Sequence, residues 1–292
     1  MMQADKIIAL AAVVWMVAMT SCGKKSADGE QSDSIVVAET DSVAEVDLSV
    51  PVVMDTIALK YSCDDGRFLV DVKVQYPLTG PDVLVDSLRA YIAQKLGASP
   101  KKVDLRDGDA VVRVYYDSLM TNMKAEYDDV RENMGGEDDG FFFSMSNERT
   151  IAKSYETEKI ITIEDCGSVY AGGAHPLSYA GAVSFDRKTG KRLGTEIFKN
   201  LKSKELRNEI LRGLREYFEV KSNEELGEML FDVDYRKIPM PSTDPYFLKD
   251  GLVFIYGQYE IASYACGMPQ FTIPYSRLEP LLKEDVLELV KN

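Results

Sequence analysis

Histidine is almost missing from this chain of 292 residues; His175 stands alone. A histidine-rich metal centre within one chain is therefore excluded, and any serine–histidine hydrolysis would have to use this one side chain. The four cysteines, Cys22, Cys63, Cys166 and Cys266, are spaced too widely for a zinc site or a CxxC redox pair. Positive charge is also short, with 34 Lys and Arg against 48 Asp and Glu and a formal net charge of −14. Phosphate binding needs clustered cations, so nucleic acid is excluded as a partner class, and the acidity mainly serves solubility. GxSxG, P-loop, HExxH and Rossmann glycine patterns are all absent, and no cofactor is expected. What the chain does have is 45% hydrophobic residues, which rules out disorder throughout.

The start of the chain fixes an expected location. Lys6 precedes an unbroken apolar run over residues 7–19, too short to span a bilayer comfortably. Thr20, Ser21 and Cys22 follow, and the chain turns polar at Gly23, Lys24 and Lys25. Small residues directly before a cysteine at the end of such a run resemble the bacterial lipobox. That resemblance implies a signal peptide over 1–21, cleavage before Cys22, lipidation of Cys22, and a protein held outside the cytoplasm on a membrane. The alternative is an ordinary secretory signal with an incidental cysteine. Each buried methylene is worth about 0.8 kcal/mol, so several acyl chains anchor almost irreversibly. Residues 22–53, rich in Ser, Asp, Glu, Ala and Val, read as a flexible tether. An oxidising compartment permits a disulfide, and Cys166 with Cys266, both beside presumed strand ends, are the expected pair.

Apolar periodicity locates the folded part. Phe68, Val70, Val72, Val74 and Tyr76 alternate with polar residues, a half-buried strand that Pro77 should end. Asp82 opens a helix with Leu84, Leu88, Tyr91, Ile92 and Ala93 as its stripe, closed by Gly97. A second helix spans 109–133, followed by an acidic, glycine-punctuated loop at 135–140. The pattern is β from 141 to 186, and the run 186–191 has tight-turn chemistry. Residues 203–220 make a strong amphipathic helix with Ser203 as its cap, and 223–230 a shorter one. Strands are expected at 253–264 and 271–273, and a final helix at 278–290. The fold class is therefore α+β with mostly antiparallel sheets packed against amphipathic helices.

One segment stands out, Tyr170-Ala171-Gly172-Gly173-Ala174-His175-Pro176. Adjacent glycines between β stretches permit positive φ and close backbone approach, and His175 carries a tunable charge. Tyr170, Gly172, Gly173 and His175 are the candidate ligand-binding residues, joined by Tyr264 from a later tyrosine-rich stretch. Two readings stay open: a ligand loop, or a strand connection whose histidine bonds locally. Tyr256, Tyr259 and Tyr264 likewise suit either sugar stacking or cross-strand packing.

Residues 170–176 with Phe185-Asp186-Arg187-Lys188-Thr189-Gly190 resemble the strand-loop-strand of the extracytoplasmic domain pair DUF4163 and DUF3298. The run Asp250-Gly251-Leu252-Val253-Phe254-Ile255-Tyr256-Gly257-Gln258-Tyr259-Glu260 is similar to the second member's signature, and residues 267–275 continue it. The resemblance covers about residues 57–282. It implies two intimately associated subdomains, DUF4163-like over 54–186 and DUF3298-like over 187–292. Relatives of this kind include the outer part of a lysozyme-sensing anti-sigma factor and the module preceding some peptidoglycan deacetylase domains. This chain shows neither a sigma-binding segment nor a deacetylase domain, so neither activity is carried over. The expectation is a non-catalytic envelope protein that binds or senses cell-wall glycan or a wall-attacking protein such as lysozyme. An envelope hydrolase acting on peptidoglycan or another glycan is the alternative, and a structural lipoprotein within a larger complex is a third reading.

Overall fold

The computed structural model describes residues 48–133 and 143–291. The expected signal segment 1–21, Cys22, most of the expected tether and the loop 135–140 lie outside the described residues. The fold is α+β.

Strand β1 (Val53–Cys63) pairs antiparallel with β2 (Phe68–Thr79). Phe68, Val70, Val72, Val74 and Tyr76 all fall on one buried face of β2. Helices α1 (Asp82–Lys95) and α2 (Gly108–Asn133) cover that face and supply Leu84, Leu88, Ile92, Val112 and Tyr127 to the same core. This helical crossover lets β3 (Met145–Glu156) return parallel to β2, which a tight turn cannot do. Strands β4 (Ile160–Ala171), β5 (Leu177–Asp186) and β6 (Arg192–Leu193) then add on antiparallel, so the sheet keeps chain order from β1 to β6.

Pro77 does not end β2. Pairing with β3 stops at Val74, so beyond it only β1 partners the strand, and Pro77 sits opposite Met54 beside a register shift. A proline is tolerated where one side of a strand has no partner.

A second sheet, β7 (Tyr246–Leu248), β8 (Gly251–Ile255) and β9 (Gln270–Pro274), is antiparallel throughout. All five β8 residues are buried because both faces are covered. Leu252 and Phe254 pack in the core with Leu206, Ile210 and Leu214 of α3 (Lys204–Phe218), while Val253 and Ile255 pack with Tyr246 and with Ala182 of β5. Ser203 caps α3, its hydroxyl accepting from the Leu206 N–H at 3.2 Å. Helix α4 (Asn223–Met229) begins the same way, at Ser222. Between the sheets, the Thr162 hydroxyl donates to the Phe247 carbonyl at 2.8 Å and lies 2.7 Å from the Ser184 hydroxyl, which accepts the Phe247 N–H. Buried polar groups are thereby satisfied on both sides of the seam.

Two expected elements are shorter than the pattern suggests. The strand over 253–264 stops at Ile255, and the chain turns through Tyr259 at φ 64°. The helix over 278–290 is two pieces, α5 (Tyr275–Leu278) and α6 (Glu284–Val290). Pro280 stands between them, where it lacks the N–H that a continuous helix needs. Leu282 instead bridges to Phe198.

The chain enters the fold through a polar clamp. Arg187, 2% exposed, donates from Nη1 to the carbonyls of Leu48 (2.9 Å) and Thr157 (2.7 Å) and from Nη2 to that of Val50 (2.5 Å). Glu156 lies 3.4 Å from the same guanidinium and accepts the Val52 N–H at 2.8 Å.

Candidate functional site

The β4–β5 hairpin carries the glycine loop singled out above. Gly172 has φ 75°, and a Cβ there would collide with the Phe143 ring. A Cβ on Gly173 would meet nothing within 4 Å, so the backbone is open on that side. The Tyr170 hydroxyl crosses the loop to donate to the Gly173 carbonyl at 3.0 Å.

His175 leaves this loop toward the second half of the chain. Its imidazole stacks on Tyr264, ring centroids 3.6 Å apart and planes at 19°. Nδ1 lies 3.2 Å from the Pro176 carbonyl, which can only accept, so Nδ1 carries the proton. In the neutral ring, Nε2 is then the acceptor for the Tyr259 hydroxyl at 2.9 Å. Tyr259 and Tyr264 are themselves 5.9 Å apart. Tyr259 is 51% exposed. The result is three adjoining aromatic rings on one surface, drawn from both halves of the chain.

The supporting contacts hold this geometry. Gln258 Oε1 accepts the Ser178 N–H at 2.8 Å, tying the hairpin to the 256–269 segment. The Glu260 carboxylate accepts from the Gly257 N–H at 2.7 Å and the Ser242 N–H at 2.6 Å, which fixes the turn around Tyr259. Tyr264 opens a short 3-10 turn that ends at Gly267, φ 71°, and the Tyr217 hydroxyl of α3 donates to the Cys266 carbonyl at 2.7 Å.

Of the residues expected at a site, His175 and Tyr264 meet directly, and Tyr170 and Gly173 bond within the loop. Gly172 shapes the backbone against Phe143. Tyr259 belongs to the cluster as well, and only its place in the tyrosine-rich stretch pointed to it. Tyr256 is a core residue, fully buried, with its hydroxyl on the Pro239 carbonyl at 2.7 Å. The pairing expected between Cys166 and Cys266 is absent: both are free, half-buried thiols, as is Cys63. Cys166 lies mid-strand opposite Thr150 and Ala180, whereas Cys266 lies in the turn before β9 with its Sγ 3.5 Å from the Ser263 hydroxyl. Burial, and then the charges of Glu164 and Asp165, raise the Cys166 thiol above its usual value. Among the described residues, no three His, Cys, Asp or Glu side chains converge as a metal site.

Residues 195–276 match the family model described as "Protein of unknown function (DUF3298)". That segment is similar to the DUF3298 family. The match takes in α3, the three-stranded sheet, Tyr259 and Tyr264, and stops short of His175 on the hairpin, so the aromatic cluster joins this domain to the preceding sheet. A crystal structure of a DUF3298 family member from Bacteroides fragilis is similar, with a TM-score of 0.63 and 21% identity, covering 82% of this chain and 97% of that one. A DUF3298 family protein from Pseudomonas aeruginosa follows at TM-score 0.57 and 14% identity, covering 82% and 98%. These likenesses concern the fold. No curated protein matches the chain.

Proposed function

We propose that this protein is a lipid-anchored binding protein of the cell envelope that holds cell-wall glycan on the His175–Tyr259–Tyr264 surface without turning it over. The observation that carries the reading is the half-exposed Tyr259 beside the His175–Tyr264 stack. Flat aromatic rings suit the apolar faces of sugars. The partners of the two imidazole nitrogens are a tyrosine hydroxyl and a backbone carbonyl, so His175 is not paired with a serine or cysteine nucleophile. The lipobox-like run ending at Cys22 supports anchoring, and the sheet strands β1 to β5 before the DUF3298 match support a DUF4163-like subdomain over 54–186.

Sedimentation with purified peptidoglycan sacculi tests the binding. Wild type should co-sediment, Tyr259→Ala and His175→Ala should stay in solution, and no soluble fragments should be released. Failure of folded wild type to co-sediment sinks the reading, and release of fragments turns it toward a hydrolase. Retention on immobilised lysozyme in place of sacculi would make the ligand a protein. Fractionation of Cys22→Ser tests the anchor: normal membrane retention with an unchanged mature N-terminus removes it.

A further inference from the structure

A second site lies in a different part of the fold, between the end of α1 and the middle of α2. A cleft of about 490 Å³ opens there, in the size range of small-ligand pockets. Lys95 is the sole charged side chain on its wall; Tyr115, Ser118, Asn122, Leu96 and Leu119 supply polar and apolar surface. Behind Lys95, Arg149 and Asp165 form a buried two-point pair, Nε to Oδ1 at 2.9 Å and Nη2 to Oδ2 at 2.8 Å. The Arg149 guanidinium lies 4.8 Å over the Tyr115 ring. The Lys95 ammonium stands 3.8 Å from Asp165, and its side chain is 43% exposed.

The charge count decides what the cleft takes. Asp165 is already matched by Arg149 through both oxygens, so Lys95 is a second cation on one carboxylate. The cleft therefore holds an excess positive charge in a chain whose net charge is −14. A second cation on one carboxylate can take a further carboxylate from outside through charge-assisted hydrogen bonds. The rest of the wall mixes hydrogen-bonding groups (Gln94, Tyr115, Ser118 and Asn122) with apolar ones (Leu96, Val114 and Leu119), which suits the hydroxylated edge and apolar face of a sugar ring. We propose that this cleft binds a small carboxylate-bearing sugar, with the carboxylate on Lys95 and the ring lodged between Tyr115 and Asn122. The site is independent of the aromatic cluster at His175.

Titration of the full chain with glucuronate and with N-acetylmuramate, read by calorimetry and by amide NMR shifts, is the test. Both acids should bind and move the Ser118 and Asn122 signals, while glucose and N-acetylglucosamine should not. Lys95→Gln should weaken the acids at least about tenfold at unchanged melting temperature, and Lys95→Arg should restore most of the affinity. Ser118→Trp, which fills the cleft, should abolish binding while His175-dependent glycan retention persists. The proposal is overturned if the acids leave the Ser118 and Asn122 signals unmoved, or if Lys95→Gln binds like wild type. Neutral sugars binding equally well overturn the role of charge. Inorganic phosphate binding as tightly as the acids overturns the role of the sugar body.

Discussion

The imidazole of His175 lies on the ring of Tyr264 at a centroid distance of 3.6 Å, although 88 residues lie between them in the chain. The stack joins the β4–β5 hairpin to the turn before β9. Truncation of His175 to Ala removes this stack and leaves the Tyr259 hydroxyl without its acceptor. A stacked pair and a net hydrogen bond each contribute about 0.5–1.5 kcal/mol, and partial exposure lets water replace some of the loss. His175→Ala should therefore lower unfolding free energy by about 1–2 kcal/mol. Glycan retention should fall even at temperatures where the variant is fully folded. Retention that tracks only the folded fraction would make the stack a structural fastening.

Tyr259 sits at φ 64°, a conformation that costs a bulky side chain roughly 1–2 kcal/mol and costs glycine little. Strain held at an exposed aromatic residue points to selection for the ring rather than for stability. Tyr259→Gly should keep the melting temperature at or above that of wild type, and it should lose binding to sacculi. A Gly variant that melts well below wild type would show that the ring packs for stability and would undercut its role as a platform.

Much of this arrangement was legible in the chain, and the gaps have physical causes. The β2 alternation and the α3 stripe each face a single core, so period and burial agree at Val70, Val72, Leu206 and Leu214. In β8 every residue is buried because both faces are covered, and periodicity then gives no end point. The strand pattern accordingly runs on past Ile255 into a turn set by Tyr259 and Glu260. β7 has three residues, too few for any period to register. The glycine loop and Tyr264 stand out locally, but the meeting of His175 with Tyr259 and Tyr264 is a long-range contact that no local pattern carries.

Arg187 anchors the point at which the chain enters the fold. Its guanidinium serves the carbonyls of Leu48, Val50 and Thr157 and faces Glu156. Arg187→Met keeps the approximate volume and leaves three part-buried carbonyls without this donor, while Glu156 keeps Lys153 at 2.6 Å. The expected loss is about 1–3 kcal/mol in urea unfolding. Before global unfolding, the Val52 amide, which donates to Glu156, should exchange faster with solvent. Unchanged exchange at Val52 together with unchanged stability would mean that the clamp contributes nothing to holding this segment.

Gly213 tests the packing of α3 on the second sheet. It lies on the buried face of the helix, and a Cβ there would run into the ring of Phe271 on β9. An alanine mid-helix would ordinarily add about 1 kcal/mol through helix propensity. Here the clash should outweigh that gain, since overpacking a filled core costs about 1–3 kcal/mol. Gly213→Ala should thus destabilise, and Phe271→Leu, which opens space where the ring edge stands, should also destabilise alone. Combined, they should lose less than the sum, because the added methyl fills part of the space the ring vacates. A double-mutant cycle by urea denaturation reads this directly. Strict additivity would show that α3 can shift away from β9 at little cost, and that the glycine is not required for the close approach.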